Sequence, residues 1–394
     1  VQGFLNFNEI PFTGVYVGLP SEIDMEIRMM VIDIIKTYCQ SEERVLLMFM
    51  QKQYPNFENY HSIAISYWNL LTNSSSPVKM SHDVYLKMYQ LSLPVLSYKT
   101  IYLDEAQDSS PVILSIILNQ KAQIILVGDK YQSIYEWRGA IDAFSRVPDT
   151  FEEHYLTESF RFIPSIATKA TTMTKLLGND REIVGKERIG NYNAETATKC
   201  FITRTNVTIL QMLLKAEKDG KKVYVLADLK DLWAKMYHIS SLSFGGEIKY
   251  PHKELKQYKT FKELVDASET LPELAKLIRL TKTLSSGGLT TNIQKIKSVI
   301  VLTPEEADFT LTTGHKSKGL NWDEVTLSED VLTVRDDATL AETLASGQTI
   351  ELLYVMMTRA KYILNIPSEV EYVLSNWRNL KDDIYEASMR GGVI

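Results

Sequence analysis

A chain of 394 residues that is 45% hydrophobic and 23% charged has room for two or three domains with cores of their own, and its composition is that of an ordinary soluble globular protein. A formal net charge of -6 excludes a uniformly basic coat for a polyanion, though not a local positive groove. Its two cysteines, Cys39 and Cys200, stand far apart, which excludes a disulfide framework or a zinc ribbon, and no apolar run is as long as a membrane span. Buried free thiols and an intracellular, reducing setting are therefore expected: the cytoplasm of a bacterium or infected cell, or the nucleus if the source is eukaryotic, with no membrane partner. The sequence opens on Val1 instead of Met, inside what reads as folded sequence, so a fragment or processed product is expected.

In chain order, residues 1–95 are mostly helical by periodicity. Apolar positions from Ile23 to Ile35 are spaced for an amphipathic helix, and Asn73 to Pro77 reads as a loop. Residues 98–175 alternate strand and helix: a strand over Thr100 to Leu103, a helix from Pro111, a strand over Gln123 to Val127, a helix after Gly139 and a strand around His154 to Leu156. The same style returns with strands at Thr198 to Thr203 and Lys222 to Ala227. From about 228 to 295 the strand signal gives way to charged helical stretches. Strands resume at Val299 to Leu302, Phe309 to Thr313 and Val325 to Leu327, followed by a helix through Ile350 to Lys361. No internal repeat of fixed period and no low-complexity segment is present. An α/β fold of two parallel-sheet units, the second carrying a helical insertion, is expected.

The chemistry concentrates in two runs. TIYLDEAQD over 100–108 and IILVGDKYQSIYEWRGA over 124–140 are each a short apolar strand ending in carboxylates. A parallel α/β sheet delivers acidic residues to a ligand crevice at its strand C-termini in this way. Asp104 is placed to hold a magnesium ion, and Glu105 to orient and deprotonate a water that attacks a γ-phosphate. Taken alone, an Asp-Glu pair at a strand end is more often favourable charge at the start of a helix, but Gln107, Asp108 and the second run overturn that reading. Asp129 closes the second strand, and Gln132, one turn on, offers an amide to the γ-phosphate or the attacking water. Tyr135 and Trp137 alternate with Ile134 and Glu136, so both can project from one face, where base stacking contributes roughly 1–3 kcal/mol each and tolerates any sequence. Core packing is the commoner fate of a tryptophan; Arg138, directly after it, favours a strand-binding lip.

These two runs resemble motifs II and III of superfamily 1 helicases of the UvrD/Rep type, and further matches follow in order. LTESFRF over 156–162 is similar to motif IV, and Thr203-Arg204-Thr205-Asn206 to the start of the second motor domain. Thr313-Gly-His315-Lys-Ser-Lys318-Gly319 resembles motif V, and Leu353-Tyr354 through Thr358-Arg359-Ala-Lys361 resembles motif VI. Six ordered matches span about 260 residues. Within the superfamily, HKSKGLNWD over 315–323 and SHDVYLKMYQLS over 81–92 look most like the F-box DNA helicase branch and its viral or bacterial relatives. The resemblance implies two RecA-like parallel-sheet motor domains with helical insertions. On this scheme residues 1–195 form a partial domain 1A with a helical 1B-like insertion within about 20–90. Residues 196–227 and 296–394 form domain 2A, and 228–295 a small helical 2B-like insertion. ATP with Mg2+ would lie between the motor domains and single-stranded DNA, or DNA with single-stranded tails, across their tops, with movement 3′ to 5′.

The implied catalytic set is Asp104, Glu105, Gln132, Arg161 and Arg359. Both arginines would reach the γ-phosphate, where guanidinium groups stabilise charge spread over the equatorial oxygens. Nucleotide contacts would come from Asp104, Asp129, Gln132, Arg161, Gly319, Asn321 and Arg359, with Asp104 as the metal ligand. DNA contacts would come from Tyr135, Trp137, Arg138, Thr313, His315 and Lys316. Tyr354, Thr358 and Lys361, read as lying on one helix with Arg359, favour its functional reading over a surface ion pair. His82, which could touch the DNA strand but reads equally well as a helix-cap neighbour, stays outside this set.

Two departures from the family pattern bear on activity. Asn321 stands where a ribose-binding Glu is common. No G-x-x-x-x-G-K-[ST] phosphate loop occurs; the nearest imitation, Gly178 to Glu187, has the wrong spacing and ends in Glu. Three readings then compete. They are an ATP-driven helicase whose N-terminal piece lies outside the chain, a non-hydrolysing DNA-binding scaffold on a helicase fold, and a nuclease-like enzyme using Asp104, Glu105 and Asp108 as metal ligands.

Overall fold

The computed structural model describes residues 25–391 apart from 77, 79, 136–142, 188–191, 247, 249–250 and 335–337. The chain divides into two compact units, Val1–Glu153 and His154–Ile394.

In the first unit, four helices precede a small sheet: α1 (Met25–Gln40), α2 (Leu46–Gln53), α3 (Glu58–Thr72) and α4 (His82–Leu91). Val31, Ile34, Ile35 and Tyr38 of α1 are all buried, the i, i+3, i+4, i+7 stripe of a core-facing helix. They pack with Phe49, Met50, Tyr67, Leu71 and Val84 in one cluster. The Tyr38 ring also meets Trp68 edge-on at 5.3 Å. Asn73 to Ser76, expected as loop, joins α3 to α4, and its turn is closed by the Ser76 N–H donating to Asn73 O at 3.0 Å. Ser81 caps α4 by accepting from the Val84 N–H.

Strands β1 (Thr100–Leu103) and β2 (Gln123–Leu126) pair in parallel, with Thr100 opposite Gln123 and Leu103 opposite Leu126. Parallel neighbours need a crossover, and α5 (Pro111–Leu118) supplies it, with Pro at its first turn where the missing N–H costs nothing. Both strands therefore end on the same side, which brings 104–108 beside 127–132. The helix expected after Gly139 begins outside the described residues; from 144 to 146 the chain makes a 3-10 turn.

The second unit holds the elements β3 (Glu158–Ser159), α6 (Pro164–Leu176), β4 (Val184–Gly185), β5 (Lys199–Thr203), α7 (Asn206–Lys218) and β6 (Val223–Val225). After them come α8 (Lys230–Ser243), α9 (Phe261–Ser268), α10 (Pro272–Ser285) and α11 (Leu289–Lys297). The sheet then resumes with β7 (Ile300–Val301), β8 (Phe309–Thr313), α12 (Gly314–Ser317) and β9 (Trp322–Leu327). It closes with α13 (Leu340–Ala345), α14 (Thr349–Met357), β10 (Ala360–Asn365), α15 (Ser368–Ser375) and α16 (Trp377–Gly391). Six strands form one sheet in the order β10-β9-β5-β8-β6-β7, with every pairing parallel. Helices α8 to α11 interrupt it as the charged helical stretch requires, and they bury Trp233, Met236, Leu264, Leu277 and Ile293 in a core shared with α7. The α/β class and parallel sheets expected from the sequence are thus observed. Cys39 and Cys200 are buried free thiols, and burial pushes the Cys39 thiol up to about 12 and that of Cys200 well upward.

Two expected elements are corrected. The strand placed at His154 to Leu156 is not formed: Leu156 is 96% exposed, and pairing begins only at Glu158, where β3 meets β4. An apolar pair reads as strand, but without a neighbour its backbone has no ladder to join. The helix expected through Lys361 stops at Met357, and Ala360–Asn365 is instead an edge strand pairing with β9. Thr358 helps to end that helix by turning its hydroxyl back onto the carbonyls of Tyr354 (2.9 Å) and Val355 (3.0 Å). Lys361 therefore lies on a strand, where its ammonium pairs with Asp323 at 3.0 Å, and not on one helix with Arg359.

Candidate nucleotide site and nucleic-acid interface

In the first unit the parallel pairing of β1 and β2 sets two acidic strand ends side by side. Asp104 is exposed, and its Oδ1 accepts the Glu105 N–H at 2.9 Å. Glu105 is exposed and adopts a left-handed conformation (φ 50°, ψ 41°), which non-glycine residues visit at a cost of order 1–3 kcal/mol. The turn is held from both sides. Ala106 N–H donates to Val127 O at 2.9 Å and Asp108 N–H to Glu105 O at 2.9 Å.

The next strand answers with a second network. Asp129 accepts from Tyr131 N–H at 3.0 Å through Oδ1 and from the Gln132 amide at 2.8 Å through Oδ2. Between the two strand ends lies Gln107, fully buried. Its Nε2 donates to Glu105 Oε2 at 2.5 Å, while its Oε1 accepts the Asp129 N–H at 3.1 Å. Glu105, Gln107, Asp129 and Gln132 form one continuous chain of hydrogen bonds. The sequence alone marked Gln107 only as support for its neighbours.

Tyr135 is half-buried and Ile134 fully buried, the alternation expected of a chain segment with one face turned outward. Trp137 and Arg138 lie outside the described residues. Asp104 fits magnesium in its donor chemistry, since that ion takes one or two carboxylates together with phosphate oxygens and water. Among the described residues no three His, Cys, Asp or Glu side chains gather to hold a metal.

In the second unit, β8 ends at Thr313, half-buried, and runs directly into the short turn α12, with His315 half-buried and Lys316 exposed. Gly314 is closely packed: a Cβ there would stand 2.8 Å from Met356 Sδ and 3.0 Å from Leu352 Cδ1. Gly319 takes φ +83°, turning the chain so that Asn321 is exposed ahead of β9.

Arg359 is fully buried. Its Nε donates to Val355 O at 2.7 Å, its Nη2 to Thr358 Oγ1 at 2.9 Å and its Nη1 to Leu320 O at 3.4 Å, joining the motif VI helix to the motif V loop. Arg161 is exposed. The Ile163 N–H donates to Lys361 O at 3.1 Å, two residues beyond each arginine, so the fold joins two arginine segments that lie far apart in sequence. Phe160, 72% exposed beside Arg161, presents an aromatic face that the sequence reading passed over.

Asp330 was also passed over. Its carboxylate accepts the backbone N–H of Arg204 (3.0 Å) and of Thr205 (3.1 Å) and the hydroxyls of Thr205, Thr208 and Ser328. It thereby fixes the turn between β5 and α7. An acidic residue shortly after a strand is a weak sequence signal, because all its partners except Ser328 lie more than 120 residues away.

Comparison with known proteins gives the class first. Residues 42–152, which contain all of the Glu105–Gln132 network, match the family described as the UvrD/REP helicase N-terminal domain. The chain is then similar, more particularly, to F-box DNA helicase 1 of Gallus gallus, with 33% identity over 322 residues, 75% of this chain and 32% of that protein. It is also similar to F-box DNA helicase protein 1 of Schizosaccharomyces pombe, with 28% identity over 327 residues, 75% of this chain and 37% of that protein. The chain spans about a third of the length of these relatives. The resemblance to UvrD-like superfamily 1 helicases read from the motifs is therefore shown, and within them the likeness to the F-box DNA helicase branch.

Proposed function

We propose that this chain carries motor parts of an ATP-dependent DNA helicase that moves along single-stranded DNA, 3′ to 5′, by coupling ATP hydrolysis to closure of two RecA-like domains. On this reading 1–195 belongs to the first motor domain, 196–227 with 296–394 to the second, and 228–295 is a 2B-like accessory insertion. Its substrates are ATP with Mg2+ and DNA that is single-stranded or bears single-stranded tails. Relatives from a bird and a yeast favour the eukaryotic nucleus as its place of action.

The observation that carries this reading is the hydrogen-bonded chain from Glu105 through Gln107 and Asp129 to Gln132 at two parallel strand ends. Glu105 is exposed, as a base that must reach water has to be, and its carboxylate is held by the Gln107 amide. Asp104 would hold the magnesium ion, which neutralises phosphate charge when bound. Gln132, tied to Asp129, sits where an amide can respond to a γ-phosphate. This reading gives guanidinium roles to exposed Arg161 and to Arg359, whose buried bonds to Val355 O, Thr358 Oγ1 and Leu320 O would first have to open, and assigns contacts with a strand backbone to exposed Lys316 with half-buried Thr313 and His315.

In the full-length protein, Glu105→Gln is expected to lower DNA-stimulated ATP turnover at least 100-fold, while affinity for an oligo(dT) strand stays within about threefold of wild type. Turnover that survives this change removes Glu105 as base. No turnover in the wild type, with strand binding intact, would instead favour a DNA-binding scaffold that does not hydrolyse ATP.

A further inference from the structure

We infer that Gln107 is a positioning residue: its side-chain amide holds the Glu105 carboxylate in its working orientation and ties that carboxylate to the backbone of the Asp129–Gln132 turn. The inference rests on the reading of Glu105 as the water-activating base and adds a residue which that reading does not use.

Three features require glutamine at this place. First, the two partners are of opposite kind. A carboxylate oxygen can only accept and a backbone N–H can only donate, so a group between them must donate at one end and accept at the other. The Gln107 amide does both, with Nε2 toward Glu105 at 2.5 Å and Oε1 toward Asp129 N–H at 3.1 Å. The chemistry of the partners also fixes which end is nitrogen, since a flipped amide would oppose two acceptors and two donors. Glutamate would set two carboxylates against each other, and an apolar side chain of equal length would satisfy neither.

Second, the amide is locked. Gln107 has no exposed surface, its own carbonyl accepts the Ser133 hydroxyl at 3.3 Å, and the next strand is shaped around it. A Cβ at Gly128 would fall 2.1 Å from Gln107 Oε1 and 3.1 Å from both Ala106 N and Phe144 Cζ. Glycine at 128 leaves the space in which the amide lies. Third, Glu105 needs outside support. A left-handed backbone at φ 50° persists in a non-glycine residue only when its surroundings hold it. The carboxylate is otherwise exposed on a flexible side chain, and a fixed donor removes rotamers that would point it away from the water.

The strut also gives the link a direction. Asp129, whose N–H binds one end of the amide, holds the Gln132 side chain through its carboxylate. A shift of the Gln132 turn when a γ-phosphate is lost would therefore pull on Gln107 and disengage Glu105. Base and sensor then move together.

The test uses the full-length protein, with turnover counted per molecule able to bind a fluorescent oligo(dT) strand, so that only folded protein enters. Gln107→Met, which keeps length and burial but neither hydrogen bond, is expected to lower kcat for ATP by about 10- to 100-fold with KM and strand affinity changed less than threefold. Gly128→Ala, which displaces the amide without removing it, is expected to do the same. In a Glu105→Gln background the Gln107→Met change is expected to cost nothing more, because a residue that acts through Glu105 has nothing left to position.

Wild-type kcat in Gln107→Met, or a further fall of tenfold or more when the two changes are combined, overturns the inference. Either result leaves Glu105 as base untouched. Unimpaired turnover in Glu105→Gln alone strikes the function reading itself. If Gln107→Met leaves no strand-binding molecules, Gly128→Ala decides the question on the same two criteria.

Discussion

At Asp330 a half-buried carboxylate takes hydrogen bonds from two backbone amides and three hydroxyls, and so organises the segment Thr203 to Thr208 where β5 passes into α7. Bonds to a charged acceptor contribute roughly 1.5–3 kcal/mol each but overlap when they share one group. Asp330→Ala is thus expected to destabilise the second unit by about 2–4 kcal/mol, and Asp330→Asn by roughly half as much; a urea midpoint unchanged in Asp330→Ala would dismiss the carboxylate as organiser.

Lys87 gives a pH-dependent case in the first unit. Its ammonium is fully buried, bonded to Ser41 O at 3.0 Å and to Glu43 O, and lies 4.2 Å from the centre of the Tyr38 ring, yet burial pulls its pKa down to about 8 from 10.5. A folded-state pKa below the unfolded one means that the unfolded chain holds more protons in this window. The Lys87 contribution is then fully present above pH 10.5 and lost as pH falls through about 8. Cys39 and Tyr38, pushed upward, act in the opposite sense once pH exceeds their ordinary values of 9.0 and 10.0. The lysine therefore dominates between pH 8 and 9, where it adds about 1 kcal/mol of stability. Denaturant titrations at both pH values are expected to record that rise in the wild type and its loss in Lys87→Met.

Elements were legible where a local period and a neighbouring partner agree. The α1 stripe is readable because its 3.6-residue spacing coincides with burial, and β1, β2, β5, β6 and β8 because each is a short β-branched or aromatic apolar run, in β1 and β2 closed by carboxylates. β10 was not legible: Tyr354 to Met357 continue a helical apolar pattern, and only the Thr358 hydroxyl and the edge of β9 end it. Nor was β4, whose two residues exist as strand because β3 lies opposite. Close approaches at glycine are hidden for the same reason, and they differ in kind. At Gly185 a Cβ would meet the backbone of Ile163 at 2.6 Å and of Phe162 at 2.8 Å, atoms that cannot move aside. At Gly314 the obstacles are Met356 Sδ and Leu352 Cδ1, ends of side chains that can rotate. Gly185→Ala is expected to cost more than about 2 kcal/mol and Gly314→Ala nearer 1 kcal/mol. Thermal melts in the reverse order would refute the distinction between fixed and movable neighbours.

For the whole molecule, the sequence carried the motifs but not the connections that make them sites. Six stretches spread over about 260 residues could be read in order, whereas the amide bridge at Gln107, the carboxylate at Asp330 and the backbone bond joining the Arg161 and Arg359 segments depend on which strands lie adjacent. Strand binding must be explained on the same scale. A chain of net charge -6 has no general attraction for DNA, so on the proposed function affinity would have to come from few phosphate contacts and from stacking. These two sources respond differently to salt. A phosphate contact releases counterions and adds about 0.7 to the slope of log affinity against log salt for a single strand, while stacking adds affinity without slope. On the proposed function Lys316, exposed beyond β8, would be of the first kind, and Trp137, next to Arg138 in sequence, of the second. Lys316→Ala is expected to reduce the slope by about 0.7. Trp137→Ala is expected to weaken oligo(dT) binding by roughly 10- to 100-fold at every salt concentration and leave the slope as it was. Fluorescence anisotropy from 50 to 300 mM salt separates the two. A slope change in Trp137→Ala with no loss common to all salt concentrations would return that tryptophan to the protein core, and an unchanged slope in Lys316→Ala would take the end of β8 out of the strand's path.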